Sequence, residues 1–224
     1  MGITNSNDLK RTPRFIAVEG PIGVGKTSLA RKLAASLSGE VILEQVDENP
    51  FLERFYRSGR TAALPAQLFF LFQRARQLEE LRQSDLFATV RVADFLLEKD
   101  KLFAELNLDR EELHLYKQIA EKLDIEPPVP DLVVYLQASV DALLGRIARR
   151  GIPYERMIDR RYLERLTDAY SRFFHHYDES PLLIVNASSI DPIHNDADYE
   201  SLLQQILTTR GRSFFNPAAE ISLA

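Results

Sequence analysis

The chain has 224 residues, 45% apolar and 27% charged, with a formal charge of −5, the balance of one globular domain and a poor match for a protein whose main partner is DNA or RNA. It holds no cysteine, which excludes disulfides and cysteine-based metal sites and suits the cytosol. Residues 1–14 are polar, unlike a secretory leader, and no window approaches the roughly 18 apolar residues of a membrane span, so no membrane partner is expected.

In chain order, residues 1–13 show no pattern and read as a flexible arm. Phe15, Ile16, Ala17 and Val18 form an apolar run that predicts a buried strand, followed by a glycine-rich turn and a helix over 26–37. Val41, Ile42 and Leu43 predict a second strand. Asn49-Pro50 opens a helix, since proline is tolerated in a first helical turn. A long helix follows over 65–83, with Leu68, Leu71, Phe72, Ala75, Leu78 and Leu81 at helical spacing. A third strand is expected near 88–93, running into a helix at about Asp94, and Asp109 caps a further helix that ends before Pro127-Pro128. The fourth strand is Leu132 with Val133, Val134, Tyr135 and Leu136; a helix over 140–149 follows. The fifth strand covers 182–185 and the last helix 197–208, and the tail over 210–224 has no periodic pattern and is expected to be mobile. Strands alternating with helices predict an α/β fold, a five-stranded parallel sheet covered by helices on both faces.

One motif carries chemistry by itself. Gly20-Pro21-Ile22-Gly23-Val24-Gly25-Lys26-Thr27 satisfies G-x-x-x-x-G-K-[ST] between a strand and a helix, the arrangement of a phosphate-binding loop. Gly20, Gly23 and Gly25 let backbone N–H groups reach phosphates at a helix N-terminus, with Ser28 in the first turn. Lys26 is expected to reach the outer phosphates and Thr27 to hold Mg²⁺. A guanine-nucleotide switch would need N-K-x-D after a late strand, where Asn186-Ala187-Ser188 stands instead. Glu44 ends the second strand at the edge where ligands of such sheets bind, and a carboxylate there can take the proton of an attacking hydroxyl. Taken alone, Glu44 reads equally well as a solvated strand-end residue. The four histidines fit no metal spacing.

At these residues the chain resembles the deoxyribonucleoside kinase family, over most of its length from Phe15 to the final helix. The resemblance implies a kinase domain over 14–209, with a lid at about 149–158, that uses ATP and Mg²⁺ to phosphorylate the 5′-hydroxyl of a deoxyribonucleoside, in a homodimer. It puts Glu44 in the place of the catalytic carboxylate. Tyr56 matches the sugar-binding tyrosine, Gln67 the base-reading glutamine eleven residues on, and Arg74 the base-site arginine. Phe103 matches the phenylalanine that stacks on the base. Arg146 and Arg150 match the lid arginines, and Glu155 the lid glutamate that joins the tyrosine at the 3′-hydroxyl. Each role has a chemical logic: an amide offers a donor and an acceptor to a base edge, and an aromatic ring stacks on any base.

The pattern also breaks. The family's Glu-Arg-Ser after the third strand is replaced by Val92-Ala93-Asp94-Phe95, which gives Asp94 the Mg²⁺ side and loses an arginine that Arg149 or Arg156 of the lid would have to replace. Lys99 stands where the family keeps the aspartate that holds the base-site arginine, with Asp100 adjacent. The small Ala66 beside Gln67 favours a purine, and deoxyadenosine ranks first, deoxyguanosine second and the pyrimidines last. Two other readings stay open: a nucleoside monophosphate kinase such as a thymidylate kinase, and a nucleotide-binding regulatory module without turnover.

Overall fold

The computed structural model describes residues 13–83, 90–123 and 128–217; most of the expected arm and the end of the tail lie outside them, as do 88 and 89 of the third strand. Six strands form one parallel sheet: β1 Phe15–Glu19, β2 Glu40–Ile42, β3 Arg91–Ala93, β4 Leu132–Gln137, β5 Leu182–Asn186 and β6 Arg212–Phe215. Their spatial order is β2-β3-β1-β4-β5-β6. The sixth strand corrects the five expected and lies in the segment expected to be mobile. Its apolar signal is short, with Phe215 buried and Phe214 exposed. What holds it is pairing: Leu182 N–H donates to Gly211 O at 3.0 Å, and the Arg212 guanidinium donates to the Phe174 and Tyr177 carbonyls at 2.9 and 2.5 Å.

The connecting helices are α1 Lys26–Ser36, α2 Leu52–Ser58, α3 Ala63–Gln83, α4 Lys99–Asn107, α5 Arg110–Leu123, α6 Val140–Arg150, α7 Arg160–His176 and α8 Asp196–Thr208. The Asp109 cap is a reciprocal box: its Oδ1 accepts from Glu112 N–H at 2.9 Å, while Glu112 accepts from Asp109 N–H at 3.3 Å. The helix expected at Asp94 starts five residues later, at Lys99, because 94–98 are held in a loop by bonds described below. α7 has no counterpart in the sequence reading. Its signal is nonetheless local: Asp159 accepts from Tyr162 N–H at 2.7 Å, and Leu163, Leu166, Tyr170 and Phe174 are buried along one stripe.

The core runs through the sheet. Ile16, Val18, Leu132, Val133, Leu182 and Leu183 are buried beneath the helices, each fully buried large aliphatic contributing roughly 1.5–3 kcal/mol. With all strands parallel, the ends of β1, β2 and β3 lie on one edge. Glu19, Glu44 and Asp94 therefore meet there although they are far apart in sequence.

Candidate active site

The turn after β1 needs its glycines. At Gly20 (φ 151°) a Cβ would sit 2.5 Å from the Leu136 carbonyl oxygen, and Gly25 opens α1 from the left-handed region at φ 104°. Ser139, Asp159 and Asn195 cap the helices they precede, whereas no side chain caps α1 and no acidic residue stands in its first turn. Its first N–H groups thus remain free for an anion. Lys26 donates to Gly20 O at 2.7 Å and Pro21 O at 3.3 Å. Burial lowers its pKa from 10.5 to about 8, against the pull of Glu19.

Two cavities of about 470 Å³ flank this loop and share Gly23, Lys26, Thr27 and Arg150. One holds Ser28, Arg146 and Arg149. The other holds Glu44, Tyr56, Gln67, Arg74, Asp94, Phe103 and Glu155. A phosphate chain gripped at Lys26 would lie between them.

In the second cavity a charged cluster is assembled from the sheet edge. Asp94, directly after β3, accepts from Glu44 N–H at 2.7 Å through Oδ1 and from the Thr27 hydroxyl at 2.5 Å through Oδ2. Glu44 is gripped on both sides: Oε1 pairs with Arg74, and Oε2 accepts from Lys99 Nζ at 3.0 Å. Arg74, only 4% exposed, also pairs with Asp100, the neighbour of the position the resemblance points to. Glu19, fully buried at the end of β1, accepts from Gly20 N–H, Tyr170 Oη and Leu96 N–H at 2.8, 2.9 and 2.9 Å. The last of these holds the loop before α4 open. Four carboxylates, Glu19, Glu44, Asp94 and Asp100, thus face three cations, Lys26, Arg74 and Lys99. Burial lowers Lys99 too, to about 8, with Glu19 opposing.

The residues assigned to sugar and base line the same cavity. Gln67 is buried and its Oε1 has no partner, leaving an acceptor for an incoming donor. Ala66 beside it is buried and lines the wall. Phe103 packs edge-on to Tyr170, with ring centroids 6.1 Å apart. Tyr56 stacks on Tyr154, in the segment expected as a lid, at 6.0 Å, and Tyr154 donates to Asp47 at 3.2 Å. Burial raises the Tyr56 hydroxyl well above its ordinary pKa, keeping it a donor, and Glu155 adds to the rise. Arg150 donates to both carboxylate oxygens of Glu155 at 2.9 and 2.5 Å.

The arginines of α6 and the segment after it fall in different places. Arg146 lies in the first cavity, its guanidinium bonded to the Val24 and Ala187 carbonyls at 3.1 and 2.6 Å. Arg149 is also there and Arg156 is exposed, so, contrary to the sequence reading, the cation that joins Arg74 at Glu44 is neither of these but Lys99. The reading missed Glu19, Asp47 and Tyr154, and named Lys99 only as a departure from the family pattern. A charged residue closing a buried strand was a legible sign for Glu19 alone.

Comparison with known proteins converges on one family. A family model described as deoxynucleoside kinase matches residues 16–210. A deoxyguanosine kinase of Bacillus subtilis is 36% identical over 202 residues, 87% of this chain and 97% of the relative. A deoxyadenosine/deoxycytidine kinase of the same organism is 28% identical, over 86% of this chain and 91% of the relative. Among solved structures, deoxyadenosine kinase from M. mycoides with the products dCMP and a flexible dCDP bound superposes with a TM-score of 0.75 at 25% identity, covering 86% of this chain and 98% of that one.

Proposed function

The chain belongs to the deoxynucleoside kinase family, an enzyme that phosphorylates deoxynucleosides, and on that premise we propose that it moves the terminal phosphoryl group of ATP to the 5′-hydroxyl of a deoxypurine nucleoside. The observation that carries this reading is the pair of cavities meeting at Lys26 and Thr27, with Glu44 in the one that also holds Gln67 and Phe103. Donor phosphates would lie along the α1 N-terminus, and the nucleoside would enter beside Tyr56 and Glu155. Glu44 accepts the 5′-hydroxyl proton as the oxygen attacks. Tyr56 and Glu155 offer a donor and an acceptor to a 3′-hydroxyl, and the lid arginine Arg150 supplies positive charge near the transferred group.

A monophosphate acceptor fits less well, because its phosphate would meet the carboxylates of Glu44 and Asp94. Among bases, the small Ala66 leaves room for a purine, and the Arg74 guanidinium suits the O6 and N7 acceptors of guanine. The relatives matched at 36% and 32% identity are deoxyguanosine kinases. We therefore rank deoxyguanosine ahead of deoxyadenosine, reversing the order drawn from sequence alone, with pyrimidines last. An ADP-release assay with four deoxynucleosides and their monophosphates tests both points. At least tenfold higher kcat/KM for the purine nucleosides is expected, and no turnover of monophosphates. A tenfold preference for deoxycytidine or thymidine would overturn the base ranking, and turnover of monophosphates alone would overturn the acceptor.

The residues present fit Mg²⁺. Thr27 and Asp94 place a hydroxyl and a carboxylate side by side, an oxygen pair suited to a hard cation. No cluster of three or more His, Cys, Asp or Glu suited to a metal occurs among the described residues, so such an ion would draw its other ligands from phosphates and water. When bound, Mg²⁺ neutralises charge on the phosphates. Asp94→Asn is expected to raise the Mg²⁺ concentration for half-maximal rate about tenfold, the usual order for a lost ligand contact. An unchanged Mg²⁺ titration would remove Asp94 from this role.

Phe72 on α3 and Leu115 on α5 are exposed on helices that pack together, and a second copy in a homodimer would cover them. No described helix is long and apolar enough to cross a membrane. A cysteine-free chain acting on nucleosides and ATP suits the cytosol.

A further inference from the structure

The sequence loses an arginine after β3 and gains a lysine at the start of α4. The Lys99 side chain is 4% exposed, and a buried ammonium is costly unless carboxylates meet it. Its Nζ lies 3.0 Å from Glu44 Oε2 and 3.7 Å from Glu19 Oε2. The backbone around it is fixed: Leu96 N–H donates to Glu19 Oε2 at 2.9 Å, and Lys99 N–H donates to Leu96 O at 3.3 Å. The next residue, Asp100, pairs with Arg74, which in turn pairs with the other oxygen of Glu44. Two consecutive residues of one helical turn therefore fix Glu44 from both sides, Lys99 directly and Asp100 through Arg74.

We propose that Lys99 is a positioning residue of the phosphoryl transfer, its ammonium holding the Glu44 carboxylate in the orientation that receives the acceptor proton. A carboxylate with free rotamers would spend much of its time turned away, and charge-assisted bonds to both oxygens remove that freedom. The proposal rests on the reading of Glu44 as the base. It differs from a packing role in one respect: its effect must pass through Glu44.

A double-mutant cycle separates the two. Lys99→Met is expected to lower kcat about 10–100-fold, the usual size for an outer contact that orients a reacting group, with the KM for ATP within twofold of the parent. Lys99→Arg, which keeps the charge, should recover most of that loss. In a Glu44→Gln background, Lys99→Met should change kcat less than threefold, because the group it orients is gone. Melting curves for all variants show whether each is folded at the assay temperature, and Lys99→Arg carries the test if Lys99→Met is not. Equal losses from Lys99→Met with and without Glu44, or a kcat for Lys99→Arg as low as for Lys99→Met, would overturn the proposal while leaving Glu44 as base. A Glu44→Gln enzyme with near-normal kcat would overturn both.

Discussion

Glu44→Gln is expected to lower kcat by roughly 10²–10⁴, the range for removing a positioned general base. In the proposed reaction the side chain would receive the proton, from its place in the cavity that also holds Gln67 and Phe103 and next to Lys26 and Thr27. The amide preserves size and one oxygen but cannot take a proton. It also turns an NH₂ group toward either Arg74 or Lys99, both of which now bond to the carboxylate. The variant should therefore melt somewhat lower than the parent. ATP binding, measured by calorimetry in the absence of nucleoside, should stay within about twofold, because the α1 N-terminus and Lys26 are untouched. If kcat stays near the parental value, Glu44 is not the base. Asp94, whose carboxylate is 2.7 Å from the Glu44 backbone nitrogen, would be the next residue to test.

How much of this was legible depends on how local each signal is. The glycine-rich turn between β1 and α1 was readable because its glycines, lysine and threonine lie within eight residues between a strand and a helix. From its own residues Glu44 was readable only as a strand-end carboxylate, and the resemblance was needed to suggest a catalytic place. Asp94 was readable as a departure from the family pattern that takes the Mg²⁺ side. Lys99 looked like a misplaced residue, since its partner lies 55 positions away and nothing in the intervening sequence marks the contact. The start of α4 was misplaced for a related reason. The pattern after β3 is helical, but Leu96 N–H is claimed by Glu19, 77 residues earlier, so the chain stays in a loop. β6 shows the opposite failure: a four-residue strand with one buried side chain has almost no periodic signal, and its place comes from pairing with β5.

Glu19→Gln should cost about 3–5 kcal/mol of stability, the scale for removing one partner of a buried charged network. For a chain of this size that is a fall in Tm of roughly 6–20 °C, read from a thermal melt. Every bond of Glu19 is an acceptance: Gly20 N–H and Tyr170 Oη at one oxygen, Leu96 N–H at the other, with Lys99 Nζ 3.7 Å from that second oxygen. Burial, reinforced by the charge of Glu19, holds the Tyr170 hydroxyl well above its ordinary pKa, so it remains a donor. An amide has a single oxygen, so its NH₂ must face one set of donors across a dry contact. Tyr170→Phe supplies the comparison. It removes one donor and leaves Glu19 its others, and should cost only about 1 kcal/mol. The order matters more than either value, because a large loss for Glu19→Gln and a small one for Tyr170→Phe identify the carboxylate as the hub. A Glu19→Gln protein melting within about 2 °C of the parent would mean that the donors find other partners. The loop over 94–98 would then be held by something else. If the loss is as large as expected, the same residue that closes β1 also fixes the backbone carrying Asp94 and Lys99. The variant's kcat should then fall even at temperatures where it remains folded.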